Sequence, residues 1–213
     1  NNLPNGTPLG PSFTHVTGNK YLYNDGDGST LYHVEVPLQL LGFDRRFHQE
    51  HTAVQPLPFS TLHEDYPTIN GRGYPDTINP NPITTTILDD NNQVSFQNDS
   101  QKVSSVISAV KGQRIALRIS NVSLSDFHTL SVPGIPMTVV GKDARLLRGP
   151  TGKNLFYQTT SVTLGGGETA DVILDTASVP AGTYFVYDAR LTNLSNDLED
   201  YGGMMTEIIL TNP

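Results

Sequence analysis

The stretch Lys111-Gly112-Gln113-Arg114-Ile115-Ala116-Leu117-Arg118-Ile119-Ser120-Asn121 carries the period that decides the fold. A Gly-centred turn opens it. Ile115, Leu117 and Ile119 then fall on one face, and Arg114 and Arg118 on the other. This alternation marks a half-buried strand, because successive side chains of a strand point to opposite faces. A strand over Val103–Val110 precedes it. Phe127–Val132 and Met137–Gly141 follow, joined by the turn dipeptide Pro133-Gly134. Tyr157–Leu164 runs into Gly165-Gly166-Gly167, Ala170–Asp175 and Thr183–Ala189 flank Pro180-Ala181-Gly182, and Met204–Thr211 closes the chain. Upstream, in Leu31–Phe43, Val34, Val36 and Leu38 alternate with His33, Glu35 and Pro37; Pro37 calls for an edge position or a bulge.

Seven or more short strands at spacings of roughly 8–15 residues predict an all-β fold, an antiparallel sandwich or barrel. No segment keeps a helical period over three turns, and there is no internal repeat. Residues 1–30, rich in Asn, Gly, Pro, Thr and Asp, read as an extended lead-in with turns rather than a packed element. Residues 44–67 read as irregular. Residues 70–103 read as a long loop region with one short strand near Ile83–Leu88. Loops of that length in a compact domain are usually functional or interfacial.

Composition narrows the function. The 213 residues hold 13 basic and 21 acidic side chains, a net charge of −8, with no Cys and no Trp. Without cysteine there is no disulfide scaffold, no zinc ribbon, no iron–sulfur cluster, no thiol nucleophile and no blue-copper thiolate. An acidic chain is a poor nucleic-acid binder, since that affinity comes from Lys and Arg on phosphates. No run of 18 apolar residues exists to span a membrane. The N-terminus lacks the basic and apolar regions of a signal peptide and an initiator Met, so the chain reads as a mature product or an excised piece.

Candidate chemical groups are few. His15, His33, His48, His51, His63 and His128 contain no H-x-H pair and read as exposed loop histidines; His48 and His51 would share a face only on a helix. Asn24-Asp25-Gly26-Asp27-Gly28-Ser29 begins like a calcium loop, but Thr30 and Val36 stand where the Gly and the bidentate Glu belong, so it reads as an Asp-Gly turn. Asp188, Asp197, Glu199 and Asp200 read as a solvated acidic loop with a cation site as the alternative. Gly165-Gly166-Gly167 and Gly71-Arg72-Gly73 lack the rest of any phosphate or dinucleotide motif and read as turns. There is no G-x-S-x-G elbow. A glycosidase carboxylate pair is not visible from spacing, and a sugar-stacking platform would have to use Tyr or Phe. Four N-x-S/T sequons begin at Asn5, Asn98, Asn121 and Asn193.

Several segments together resemble one family. Asp65-Tyr66-Pro67-Thr68-Ile69-Asn70-Gly71-Arg72-Gly73-Tyr74-Pro75-Asp76-Thr77 resembles the "INGR" segment of multicopper oxidases. The variant is similar to that of long bacterial members, a group that includes manganese-oxidase-like enzymes. Gly112–Asn121 resembles the family's Gly-x-Arg strand followed by R-x-x-N, and Leu130–Asp143 the segment ending in its turn aspartate. Gly167-Glu168-Thr169-Ala170-Asp171-Val172, Gly182-Thr183-Tyr184 and Asp200–Thr206 extend the likeness, which covers about residues 31–211.

The resemblance implies a cupredoxin-like Greek-key β-sandwich or barrel with long loops over residues 31–213, with 1–30 as lead-in or linker. It implies a copper-containing parent that oxidises phenols or metal ions such as Mn(II) or Fe(II) and reduces O2 to water, in a secreted or periplasmic setting. In that family the trinuclear site uses H-x-H pairs, and type 1 copper uses Cys, two His and often Met. This chain has neither Cys nor H-x-H; His128 and Met137 sit in the family's strand pattern without a cysteine. No copper ligand is carried over, and no catalytic, cofactor-binding or metal residue is assigned. The implied role is that of a copper-free internal domain whose partners are neighbouring cupredoxin domains, with loops 44–67 and 72–103 as the surfaces they would meet. Arg114 and Arg118 are expected to pair with Asp143 or Asp171 across strands. The alternative is a stand-alone extracellular β-sandwich module for binding or adhesion, a calcium-binding one included.

Overall fold

The computed structural model describes residues 16–57 and 59–213. In chain order the strands are β1 Lys20–Tyr21, β2 Leu31–Tyr32, β3 Val34–Phe43, β4 Tyr66–Ile69, β5 Ile83–Leu88 and β6 Val94–Ser100. Then come β7 Ile107–Val110, β8 Arg114–Asn121, β9 His128–Ser131, β10 Met137–Lys142, β11 Arg145–Leu146 and β12 Tyr157–Thr159. The last are β13 Ser161–Leu164, β14 Thr169–Asp175, β15 Gly182–Asp188 and β16 Met205–Thr211, and one helix, α1, spans Arg45–Thr52.

Two sheets face each other. The larger runs β11-β10-β14-β8-β3-β4, with β12 also on β10; the smaller runs β13-β9-β15-β16-β7. This is the all-β sandwich that the alternation predicts. Ile115, Leu117 and Ile119 of β8 point inward to meet Val186 and Ile208 of the smaller sheet in one buried cluster. Each sheet holds one parallel pair, β3 with β8 and β7 with β16. β3 and β8 therefore end side by side. The loops after them lie at the same end as 165–168 and the 189–204 connection, and this end carries the candidate site.

Several expectations change. Residues 20–30 pack rather than trail: β1 pairs with β2, and Leu22 and Tyr32 bury with Ala116, Val140 and Ile173 on the outer face of the larger sheet. The sheet is therefore covered on both faces there, and Ala116 is buried as fully as its neighbours. Tyr23 lies against Gly141, where any side chain would strike its ring, and its hydroxyl donates to Asp171. Of the lead-in, residues 1–15, with His15 and the Asn5 sequon, lie outside the described residues.

Residues 45–52 form a helix where an irregular segment was expected. Arg-Arg-Phe-His-Gln-Glu-His-Thr buries nothing and so shows no apolar period; its order comes from Asp44, whose carboxylate caps the Phe47 amide at 2.8 Å. Residues 66–69 are β4. The single strand expected near Ile83–Leu88 is one arm of a hairpin with β6. Tyr157–Leu164 is two strands: it leaves β10 of one sheet and crosses to β9 of the other, turning at Thr160. Of Val103–Val110 only Ile107–Val110 is strand. Pro37 sits where β3 is locally an edge, because β4 pairs only with Leu40–Phe43. Arg118 does reach Asp171 (3.6 Å) and also Glu35, but Arg114 donates to the Ser29 carbonyl at 2.9 Å instead. β8 register sets Arg114 opposite Asp175, four residues from Asp171.

Candidate functional site

Under the loop end of the sandwich lies a buried polar string. His128 opens β9 on the same inward face as Leu130, and Asp188 closes β15 on the same inward face as Val186. His128 Nε2 meets Ser123 Oγ at 2.8 Å, and His128 Nδ1 meets Asp188 Oδ2 at 2.7 Å. Asn193 Nδ2 donates to the same carboxylate oxygen at 2.7 Å, and the Thr129 and Arg190 amides donate to Oδ1. Ser123 Oγ in turn accepts the Gly42 amide at 2.8 Å. Burial works to raise the Asp188 carboxyl, and the hydrogen bonds from His128, Asn193 and the two amides outweigh it, holding the group below the ordinary carboxylate range.

Ser–His–Asp is the order in which a hydrolytic nucleophile is activated. Here it has no substrate face. Ser123 and His128 are 4% and 1% exposed, and neither of the two clefts at this end is lined by Ser123. The string instead ties β3, the 122–127 loop, β9 and β15 together. Sequence reading missed it by taking His128 for a loop histidine and Asp188 for a member of an acidic loop. The available signal was the alternation itself, which puts His128 in phase with Leu130 and Val132.

The remaining candidates stay apart. His48 and His51 do share helix α1, both exposed, with the His48 ring 5.3 Å from that of Phe43. His63 is paired with Asp65, and His33 Nδ1 accepts the Arg114 amide. Asp25 turns inward: its carboxylate accepts the amides of Asp27, Gly28 and Thr30, as a plain Asp-Gly turn does. Asp197 pairs with Arg45, and Glu199 and Asp200 are exposed, so the acidic quartet does not gather. Among the described residues no three His, Cys, Asp or Glu side chains converge on one point.

Gly71-Arg72-Gly73 is a turn, and Arg72 is its core. Arg72 is 1% exposed and pairs with no carboxylate among the described residues; its guanidinium donates to the carbonyls of Asp76, Asn79, Asn81 and Gln101. Gly73 lies so close to the Gly202 carbonyl that a Cβ would not fit. Beside this turn, on the outer face of β3 and β4, opens a cleft of about 750 Å³. Phe43, Tyr66 and Tyr74 form its aromatic walls, and Arg45, Asp76 and Glu199 reach it from the surrounding loops. The free edge of β4 is closed to a further strand: Pro67 has no amide hydrogen, and the Ile69 amide is taken by the Arg72 carbonyl at 2.9 Å.

Residues 47–209 match the multicopper oxidase family model, more than half the chain. The chain belongs to the multicopper oxidase family. Laccase-18 of rice (Oryza sativa subsp. japonica) is 28% identical over 141 residues, covering 61% of this chain and 22% of the laccase. The blue copper oxidase of Nitrosomonas europaea superposes with a TM-score of 0.60 at 21% identity, over 84% of this chain and 44% of that one. A laccase of Botrytis aclada gives 0.52 at 18% identity, over 87% and 31%. The chain thus spans about a fifth of the curated relatives' length and less than half of either structure.

The family implies copper, and the side chains here do not build a blue-copper centre. A blue-copper centre needs a thiolate, and there is no cysteine. His128, the buried histidine, spends both ring nitrogens on Ser123 and Asp188. Met137 and Met204 are packed in the apolar core.

Proposed function

We propose that this chain is a copper-free cupredoxin domain of a larger multicopper oxidase, and that its role is architectural. It holds the spacing at which copper ligands of neighbouring domains converge. The observation that carries this reading is the His128–Asp188–Asn193 string, in which hydrogen bonds occupy both ring nitrogens of the buried His128 and both carboxylate oxygens of Asp188. The parent oxidises phenols or metal ions such as Mn(II) or Fe(II), reduces O2 to water, and works outside the cytoplasm. The likeness of Asp65–Thr77 to long bacterial members supports a place in the manganese-oxidase-like group. No helix among the described residues is long and apolar enough to cross a membrane.

Copper loading tests the reading. The chain is incubated with Cu(II), and separately with Cu(I) under reductant, then dialysed and assayed for metal. The expected result is no stoichiometric copper and no absorbance near 600 nm. One copper per chain retained through dialysis would overturn it, and its loss in His128→Ala would identify the buried histidine as a ligand.

A further inference from the structure

We propose that the cleft between β3, β4 and the 196–202 loop binds a pyranose ring of a neutral oligosaccharide. Three features of the cleft point to sugar. The first is its walls. Phe43 and Tyr66 are neighbours across β3 and β4, directly opposite in register, and Tyr74 stands beside them. A pyranose presents an axial C–H face that is slightly positive, and an aromatic ring presents a negative one, so the two stack without either losing a hydrogen bond.

The second is the mixture of polar groups. A sugar hydroxyl donates and accepts at once, so a ring of them needs both kinds of partner in one cleft. The cleft supplies acceptors in Asp76 and Glu199 and a cationic donor in Arg45, one of whose amino groups is held by Asp197; the Gln101 amide nitrogen donates to the Gly71 carbonyl and leaves its oxygen as a further acceptor. A phenol, with one hydroxyl, would leave most of these unanswered.

The third is that the acceptors are open. Among the described residues no hydrogen bond engages the Asp76 carboxylate or the Tyr66 hydroxyl, and one oxygen of Glu199 is free while the other takes the Asn196 amide at 3.3 Å. Asn196 is committed elsewhere: its Oδ1 accepts the amides of Leu198 and Glu199, and its Nδ2 reaches the Gly202 carbonyl. It holds the loop that presents Glu199, so the acceptor is set in place before any ligand arrives. Preorganisation of this kind reduces the cost of binding.

The test is isothermal titration of the 213-residue chain with cello-, xylo-, manno- and chito-hexaose, alongside a phenol and an aromatic amine. Saturable binding of at least one hexasaccharide is expected. Tyr66→Ala should weaken it about tenfold, the worth of one aromatic stack. Tyr66→Phe should keep most of the affinity, and Glu199→Ala should also weaken it several-fold. Neither residue is in the core, and unchanged melting temperatures would show that the variants fold. The exposed Phe185→Ser on the opposite sheet serves as the control and should bind as the parent does. No saturable binding up to about 10 mM, the weak end for a shallow cleft, would overturn the proposal. So would sugar binding indifferent to Tyr66 and Glu199, or tighter binding of the phenol or amine at the same residues. None of these outcomes depends on copper, so the proposal and the copper-free reading fail separately.

Discussion

Two strands of similar length have opposite fates in this molecule. β8 lies between β14 and β3, with Ile115, Ala116 and Leu117 wholly buried. β5 pairs only with β6, and from Thr84 to Leu88 every residue is exposed. Only Ile115 and Ile119 of β8 are β-branched, whereas every residue of β5 but Leu88 is, so strand propensity would favour the exposed strand over the buried one. The difference is what lies above and below. β8 has the smaller sheet on one side and the 20–32 segment on the other, whereas the hairpin lies outside both apolar clusters. A two-stranded hairpin alone is marginal in water. This one is anchored at its foot, where Arg72 gathers the carbonyls of Asn79, Asn81 and Gln101. The sandwich is held by apolar burial, and the arm by a charge among carbonyls.

The largest effect is therefore expected at Arg72. Arg72→Met keeps most of the volume but removes the buried donor that those carbonyls share, at a cost of about 4 kcal/mol. Urea unfolding at neutral pH measures it, and hydrogen exchange across 83–100 should accelerate with it. Arg72→Lys, which restores one charge but not the fork, should recover only part. A loss below about 1 kcal/mol in Arg72→Met would show that the cage contributes little and that the arm is held some other way.

Leu117→Ala comes next. It removes a fully buried side chain between the sheets and should cost about 3 kcal/mol, with no special effect on exchange in the arm. Equal acceleration in both regions would mean that sandwich and arm unfold as one unit.

Asp188→Asn should cost about 2 kcal/mol at neutral pH, because a charge-assisted acceptor of several donors becomes a neutral amide. Its pH dependence sharpens the contrast with Arg72. The folded Asp188 carboxyl titrates below its unfolded value, since the hydrogen bonds outweigh burial. The unfolded chain then takes up the proton first. The stabilisation is fully present above the unfolded value and is lost as pH falls through the folded one. The gap between wild type and Asp188→Asn should thus be constant near neutrality and close below about pH 4. A gap that stayed constant down to about pH 3 would show that the Asp188 charge carries none of it.

Alternation made the sandwich legible and left the arm and the site obscure, for one physical reason. The period-2 pattern records burial against an apolar partner. It located β8, β14, β15 and β16 to within a residue or two, because their inward faces meet a core. Helix α1 and β6 face solvent on most sides and carry no such pattern. The cleft joins Phe43 and Tyr66 to Tyr74 and Glu199, and only the fold brings these together. His128 was legible in principle, since it keeps phase with Leu130. Residue type prevailed over phase, and a histidine was read as exposed. Arg72 shows the converse. The motif around it was visible, but a buried cation without a carboxylate has no linear signature.

The smallest effect separates the two regions most cleanly. Ile87 and Phe96 face each other across the hairpin and are about half exposed (53% and 50%). The double variant Ile87→Thr, Phe96→Ser keeps strand-compatible residues while removing two large apolar side chains. In the sandwich an equivalent change would cost several kcal/mol, because each side chain has apolar neighbours to lose. In the arm each meets mainly its cross-strand neighbour and water. The urea midpoint should therefore move by no more than about 0.5 kcal/mol in stability. A loss above about 1.5 kcal/mol would mean that the arm folds down on the sandwich in solution, and that its apolar face is part of the core after all.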